Sequence, residues 1–332
     1  MKKPTLFSLL FYVLLSACIS PSNSGLPHPV DLHGQLSIRG NQLVNAKGEA
    51  VALSGPSFFW SNTGWGGNAF YHPKAVKYFK NEWNANIIRV AIGVEPSGGY
   101  IEEPDENYKR ALTLINAGLK QGLYVIVDWH SHHAQDYPEE AKAFFSKIAA
   151  RYGDKPNIIY EIYNEPLRDT DWQKTIKPYA IELIQTIRKI DPDNIIIVGT
   201  QSWSQDVDKA AANPIEGFDN IAYALHFYAG THKEKLRKKA RTALQSGLAL
   251  VVTEWGTVNA DGDGPVDYQS VDEWMSFLSE HKISHCNWSA NNKNESSSMF
   301  TPETRPKGKW ADDNLSESGK LAKKIISEWN KQ

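Results

Sequence analysis

The sequence predicts a single (β/α)8 barrel preceded by a small β-hairpin, and three observations carry that reading. Eight short apolar runs recur, mostly at intervals of about 35 residues. Longer amphipathic patterns lie between them, as in a parallel sheet covered by helices. Polar and ionisable residues gather just after the runs, at what would be the C-terminal face of the barrel. Composition bounds the alternatives: 332 residues with 41% hydrophobic and 22% charged content exclude a disordered, collagen-like or multi-span membrane chain. A formal charge of −2 gives no basic footprint for nucleic acid, and no Gly-x-Gly-x-x-Gly or phosphate loop follows any run. The 11 Trp, 14 Tyr and 12 Phe are numerous, and several Trp stand beside Gly, Asn and Ser instead of inside apolar runs. Flat exposed rings suit sugar faces, although a core role is the commoner one at any single position.

In chain order, Met1-Lys2-Lys3 and the apolar stretch Leu6 to Leu15 read as a signal peptide over 1–17, because a spanning helix needs about 20 apolar residues. Leu15-Ser16-Ala17-Cys18 resembles a bacterial lipobox, which implies lipid on Cys18 and export as an outer-membrane lipoprotein, Ile19 not being an acidic retention signal. Residues 18–33 then form a flexible tether rich in Ser, Pro and Gly, and the barrel domain occupies 34–332. Cys286 is left alone, so no disulfide is expected. Leu36 to Arg39, a Gly40-Asn41 turn and Gln42 to Val44 read as the hairpin. The eight runs are Val51–Leu53, Ile87–Ala91, Tyr124–Val127, Ile158–Ile162, Ile195–Val198, Ile221–Leu225, Ala249–Val252 and His285–Trp288. Helical patterns cover Tyr108–Lys120, Glu139–Tyr152, Lys177–Ile190 and Val271–His281, with Asp105 and Asp136 as N-caps for the first two. The helix over Ala210–Phe218 is weakly patterned, and a closing helix at about Ser318–Trp329 leaves no room for a separate binding module.

The polar cluster after the runs comprises Arg89, Asp128-Trp129-His130, Asn164-Glu165, Gln201-Ser202-Trp203, His226-Phe227-Tyr228, Glu254-Trp255 and Trp288. Each has a structural reading by itself: Arg89 as an ion-pair partner, His130 as a hydrogen-bonded core histidine. Their confinement to one face points to a site. Glu165 and Glu254 each end a run with no neighbouring acid. Two buried carboxyls are costly unless used, and a pair across a sugar ring is what glycoside hydrolysis requires.

With Leu53-Ser54-Gly55-Pro56-Ser57, Ile88-Arg89-Val90-Ala91, Val127-Asp128-Trp129-His130-Ser131-His132-His133, Ile159 to Pro166, Ala224 to His232, Thr253-Glu254-Trp255-Gly256-Thr257 and Asn287-Trp288-Ser289, the chain resembles glycoside hydrolase family 5, specifically the bacterial endoglucanases (cellulases), from about Gly34 to Trp329. Asn-Glu-Pro after the fourth run together with Thr-Glu-Trp-Gly at the seventh is the specific combination. The resemblance implies a retaining endo-β-1,4-glucanase with Glu165 as acid/base and Glu254 as nucleophile, their carboxyls about 5–5.5 Å apart. It matches Arg89, His130, Asn164, His226, Tyr228 and Trp288 to the remaining active-site positions. Asn164 is then expected on the sugar 2-hydroxyl, Trp288 under the sugar before the cut and Trp203 beyond it. Lys293 and Glu295 resemble a charged pair holding the next sugar outward, and Trp65 and His132 are further contacts. Arg89 and Tyr228 are expected to keep Glu254 ionised, and a less charged pocket to keep Glu165 protonated. One departure is Phe58-Phe59-Trp60, where related cellulases often carry a substrate-contacting histidine.

Other readings stay open at this point. His130-Ser131-His132-His133 has metal-site spacing but no clustered acidic third ligand, so no metal or cofactor is expected. The chain could act mainly on mannan, xyloglucan or mixed-linkage glucan, or bind glucan without cutting it. The expected partners are β-glucan chains and, through the lipid anchor only, a membrane; the protein is expected to be a monomer.

Overall fold

A computed structural model describes residues 27–331. The signal peptide and Cys18 lie outside the described residues. The tether expected over 18–33 ends differently from the expectation: Pro29–His33 is a short helix seated on the barrel, with Val30 N donating to Gly122 O at 3.0 Å and Lys80 Nζ to Pro27 O at 3.1 Å. Pro29 at the first helical position and the Val30 side chain against the barrel floor supply what the Ser/Pro-rich composition did not signal.

The hairpin forms as expected from β1 (Ser37–Arg39) and β2 (Gln42–Val44), paired antiparallel. Eight parallel strands then close into a barrel: β3 (Ser54–Phe58), β4 (Ile87–Gly93), β5 (Tyr124–His130), β6 (Ile158–Glu161), β7 (Ile196–Val198), β8 (Ile221–Tyr228), β9 (Leu250–Gly256) and β10 (His285–Ala290), with β10 pairing both β9 and β3. Only the first strand is displaced from its expected run. Its residues are Ser-Gly-Pro-Ser-Phe, with no apolar alternation to read, whereas Val51 and Leu53 plug the barrel floor. Helices follow the strands, including Pro104–Lys120, Pro138–Tyr152, Lys177–Arg188, Tyr268–Glu280 and Glu317–Trp329. The weakly patterned helix after β7 shrinks to Val207–Ala212. Asp105 and Asp136 are not N-caps: Pro104 and Pro138 begin those helices, having no N–H to satisfy, and no side chain caps either one.

Strand alternation divides the apolar residues into two layers. Ile88, Val90, Ile92, Val125, Val127 and Trp129 face outward to the helices. Ile87, Tyr124, Ile126, Ile159, Ile197 and Val251 fill the lower interior. Higher on the same inward phase come Arg89, Asp128, His130 and Glu161, so the barrel interior changes from apolar floor to polar mouth.

Candidate active site

Arg89 organises the polar layer from β4, fully buried. Its Nε donates to Glu161 Oε2 at 2.7 Å, Nη1 to Glu254 Oε2 at 2.9 Å and Nη2 to Asn164 Oδ1 at 2.6 Å, and Asp128 Oδ2 lies 3.0 Å from Nη2. Burial alone would lower its pKa, but Asp128, Glu161 and Glu254 outweigh that and hold the guanidinium charged. Asp128 also accepts His130 Nδ1 at 2.6 Å. Burial, with Arg89 nearby, drives the His130 pKa well below its ordinary value, so the ring is neutral.

Glu254 points inward because β9 is bulged. Ala224 pairs with Val251 and His226 with Glu254, two residues of β8 against three of β9, so Thr253 and Glu254 both face the interior. Tyr228 OH donates to Glu254 Oε1 at 2.7 Å. Its ring crosses β9 only because Gly256 has no side chain, for a Cβ there would stand 2.3 Å from a ring carbon of Tyr228.

Glu165 leaves the end of β6 and bonds His226 Nδ1 at 2.8 Å, with His132 Nδ1 at 3.7 Å. The other His226 nitrogen meets Thr253 Oγ1 at 2.7 Å, and that hydroxyl donates to Glu161 Oε1 at 2.6 Å. A continuous chain thus runs Glu165, His226, Thr253, Glu161, Arg89, Glu254. The segment that carries Asn164 packs so tightly on Gly199 that a Cβ there would lie 2.2 Å from Tyr163 O.

The protonation pattern in the free site differs from the expectation. Burial pushes Glu165 up, but the hydrogen bond and charge of His226 prevail and hold it below the usual carboxylate range. Burial and the charge of Glu165 push Glu254 up, against His226, Arg89 and Tyr228. Burial lowers His226, yet Glu161, 3.8 Å from its Nε2, and the bond to Glu165 carry it to about 9. An imidazole on Glu165 was not legible from residue spacing, and that contact reverses the order.

The mouth opens into two joined clefts sharing Glu165, Tyr228, Glu254 and the Ala260-Asp261 loop. The first, about 620 Å³, is lined by Trp60, Trp65, His130, His132, Trp288, Lys293 and Glu295. The second, about 470 Å³, contains Trp203, Arg168 and His226. All the expected site residues except Arg89 and Asn164 line one cleft or the other; those two lie beneath, and Cys18 falls outside the described residues. Lys293 and Glu295 pair at 2.5 Å. Trp288 is only 5% exposed, stacked on His130 at 5.1 Å and tilted against Phe59, whereas Trp65 is 42% exposed. Phe59 and Trp60, the departure from related sequences, thus pack an aromatic wall around Trp288 and His130. Trp203 is presented by three successive left-handed residues, Ser202 to Ser204, a conformation costing roughly 1–2 kcal/mol per residue. It is fixed by Trp203 N to Pro166 O at 2.8 Å and Ser204 Oγ to Asn164 O at 2.7 Å.

Sequence reasoning missed Glu161 and Thr253. The signal for Glu161 was an acid on the inward phase of an otherwise apolar strand, two residues after Ile159. Among the described residues the ligand atoms that converge belong to Glu165, His226 and Glu254, and the His130 segment is not part of that group. Glu165, His226 and Glu254 do converge within 4.8 Å, but both nitrogens of His226 already have partners.

A (β/α)8 barrel with two facing carboxyls in an aromatic-lined groove at its C-terminal mouth is the framework of a glycoside hydrolase. The family model described as cellulase (glycosyl hydrolase family 5) matches residues 44–294, and the chain belongs to that family. It is 47% identical over 329 residues to Endoglucanase Z of Dickeya dadantii, covering 99% of this chain and 73% of that one. A solved structure from Cytophaga hutchinsonii shares 46% identity at TM-score 0.89, covering 92% of this chain and 98% of that one. The catalytic domain of Thermobifida fusca endoglucanase Cel5A, solved with cellotetraose, shares 33% identity at TM-score 0.85, covering 90% and 99% respectively.

Proposed function

We propose that the chain hydrolyses internal β-1,4 bonds of cellulose and related β-glucans with retention of configuration, Glu165 acting as acid/base and Glu254 as nucleophile. The observation that carries this reading is the spacing: an oxygen of each carboxyl lies within 4.8 Å of the other. Retaining pairs stand about 5–5.5 Å apart, and inverting pairs about 6.5–9.5 Å, to admit a water. The endoglucanase names of the relatives and the cellotetraose in one of them support the choice of glucan.

The groups divide the work as follows. Arg89 on Oε2 and Tyr228 on Oε1 orient the Glu254 carboxylate, which attacks the anomeric carbon as the glycosidic bond breaks. Asn164 Oδ1 is occupied by Arg89, which leaves its amide N–H for the sugar 2-hydroxyl. Thr253 gives its proton to Glu161, so it accepts from His226 Nε2–H, and the mobile proton lies between Nδ1 and Glu165. A bound sugar excludes water and favours the neutral form of that pair, with the proton on Glu165, ready for the leaving oxygen. Glu165 then takes a proton from the water that releases the glycosyl ester.

The test is chemical rescue. Glu254→Ala abolishes hydrolysis and is rescued by azide to an inverted glycosyl azide, while azide on Glu165→Ala yields the retained one. The opposite stereochemistry would interchange the two roles.

The location is a separate proposal supported by sequence: the apolar leader and Leu15-Ser16-Ala17-Cys18 fit a lipid-anchored exported protein. The described residues contain no helix long and apolar enough to cross a membrane.

A further inference from the structure

Beyond Trp203 the groove continues into a third cleft of about 490 Å³, which shares Arg168, Gln205 and His232 with the second. Its charge is one-sided: Arg168, Lys209, Lys233, Lys235 and Lys239 line it, against Asp206 as the single carboxylate. The overall charge of the chain is −2, so the cluster does not follow from composition. Asp206 is already held by Lys209 at 2.7 Å and by Lys239, and Asp267 is taken by Lys233. Glu234, in the helix Glu234–Gln245 that carries Lys235 and Lys239, turns away to Arg237 and Arg241. Among the described residues no carboxylate comes within ion-pair distance of Lys235 or Arg168; the Arg168 guanidinium lies over the Trp203 ring at 5.6 Å. At the opposite end the charged pair is Lys293 and Glu295, bound to each other at 2.5 Å, while Glu165, Glu254 and Asp261 lie where the first two clefts join. The basic excess is therefore confined to the end of the groove beyond Trp203.

We infer that this third cleft is a binding site for a carboxylate carried on the leaving-group half of the glucan chain. The inference rests on the glucanase reading, because it takes the direction of the chain from Glu165 as the acid that faces the departing sugar. The leaving half holds the reducing end, so the carboxylate is an aldonate terminating an oxidised chain or a uronate or carboxymethyl branch. The same group on the other half would meet only Lys293, already paired with Glu295, and gain no comparable attraction.

The experiment compares kcat/KM on cellohexaonic acid and on cellohexaitol, two open-ended chains that differ in a terminal charge. At low ionic strength the aldonate is favoured about fivefold, as a few exposed ion pairs at a fraction of a kcal/mol each would give. The preference disappears at roughly 1 M salt. It also disappears in Lys209→Gln/Lys235→Gln, with the rate on the neutral chain unchanged. Carboxymethyl cellulose separates the two sources: substituents enriched a few sugars in from the new non-reducing ends identify branch recognition, and their absence there with the aldonate preference intact identifies the terminal acid. Equal rates on both hexamers, or a preference that survives the double substitution, would overturn the inference and leave the glucanase reading standing. Failure to cleave unmodified cellohexaose would overturn that reading, and the inference with it.

Discussion

Thr253→Val isolates the role of the hydrogen-bond chain, because valine keeps the β-branched shape that suits β9 while removing one hydroxyl. That hydroxyl accepts from His226 Nε2 at 2.7 Å and donates to Glu161 Oε1 at 2.6 Å; without it His226 and Glu161 are left 3.8 Å apart. A hydrogen bond to a charged group is worth about 1.5–3 kcal/mol, or roughly one to two pH units of imidazolium stability. His226 should fall from about 9 toward neutrality. The proton shared with Glu165 is then lost at lower pH. The assay is the pH dependence of kcat/KM on a soluble cello-oligosaccharide, with folding checked by circular dichroism. The alkaline limb should move down by about one to two units, the acid limb should stay, and Thr253→Ser should restore the original profile. A folded Thr253→Val protein with its alkaline limb in place, or with activity lost equally at every pH, would refute the idea that this hydroxyl tunes the acid.

Gly256→Ala should cost about ten- to hundredfold in kcat, since the new methyl displaces the Tyr228 ring from Glu254; Tyr228→Phe should lose as much, and a double variant no more than either alone. His226 has a folded pKa raised above its unfolded value, so its contribution to stability is fully present below about pH 6.5 and is lost as pH rises through about 9; urea midpoints should fall across that window in the wild type and less so in His226→Gln. Cys18→Ser should move the protein from the membrane to the soluble fraction with unchanged specific activity, and equal partition of the two forms would remove the lipoprotein proposal.

The parts of the fold legible in the sequence were those set by burial on both faces. Ile87–Ala91, Tyr124–Val127 and Ile158–Ile162 announce central strands because helices cover one side and the barrel floor the other. β3 was misplaced because its Gly and Pro serve close packing, Gly55 standing where a Cβ would meet Ile87 O at 1.7 Å, and not apolar alternation. At the site, Glu165 and Glu254 were legible as isolated acids at strand ends. The proton order was not, since it depends on His226 reaching across from β8, a contact between positions 61 residues apart. Trp288 likewise was legible as a site residue, but its near-complete cover by His130 and Phe59 follows only from the barrel's closure, which sets β10 beside β3.

That closure also explains why the site can both give and take a proton. Asp128, Glu161 and Glu254, all almost fully buried, pair with one guanidinium, and Glu165 joins them through His226. Three ionised carboxyls on Arg89, with Glu165 beside them, would leave an uncompensated buried charge, which is costly, so the cluster holds protons. Asp128 and Glu161 are fixed by Arg89 and by their own donors, His130 and Thr253, and neither lines the clefts. Burial pushes Asp128 well above the usual carboxylate range and raises Glu254, while at the rim His226 and Glu165 share a proton beside the open groove. The buried acids of β5 and β6 thus contribute to the reaction without touching the sugar: Asp128 and Glu161 hold Arg89 charged beside Glu254, and Glu161 raises the affinity of His226 for the proton that Glu165 delivers.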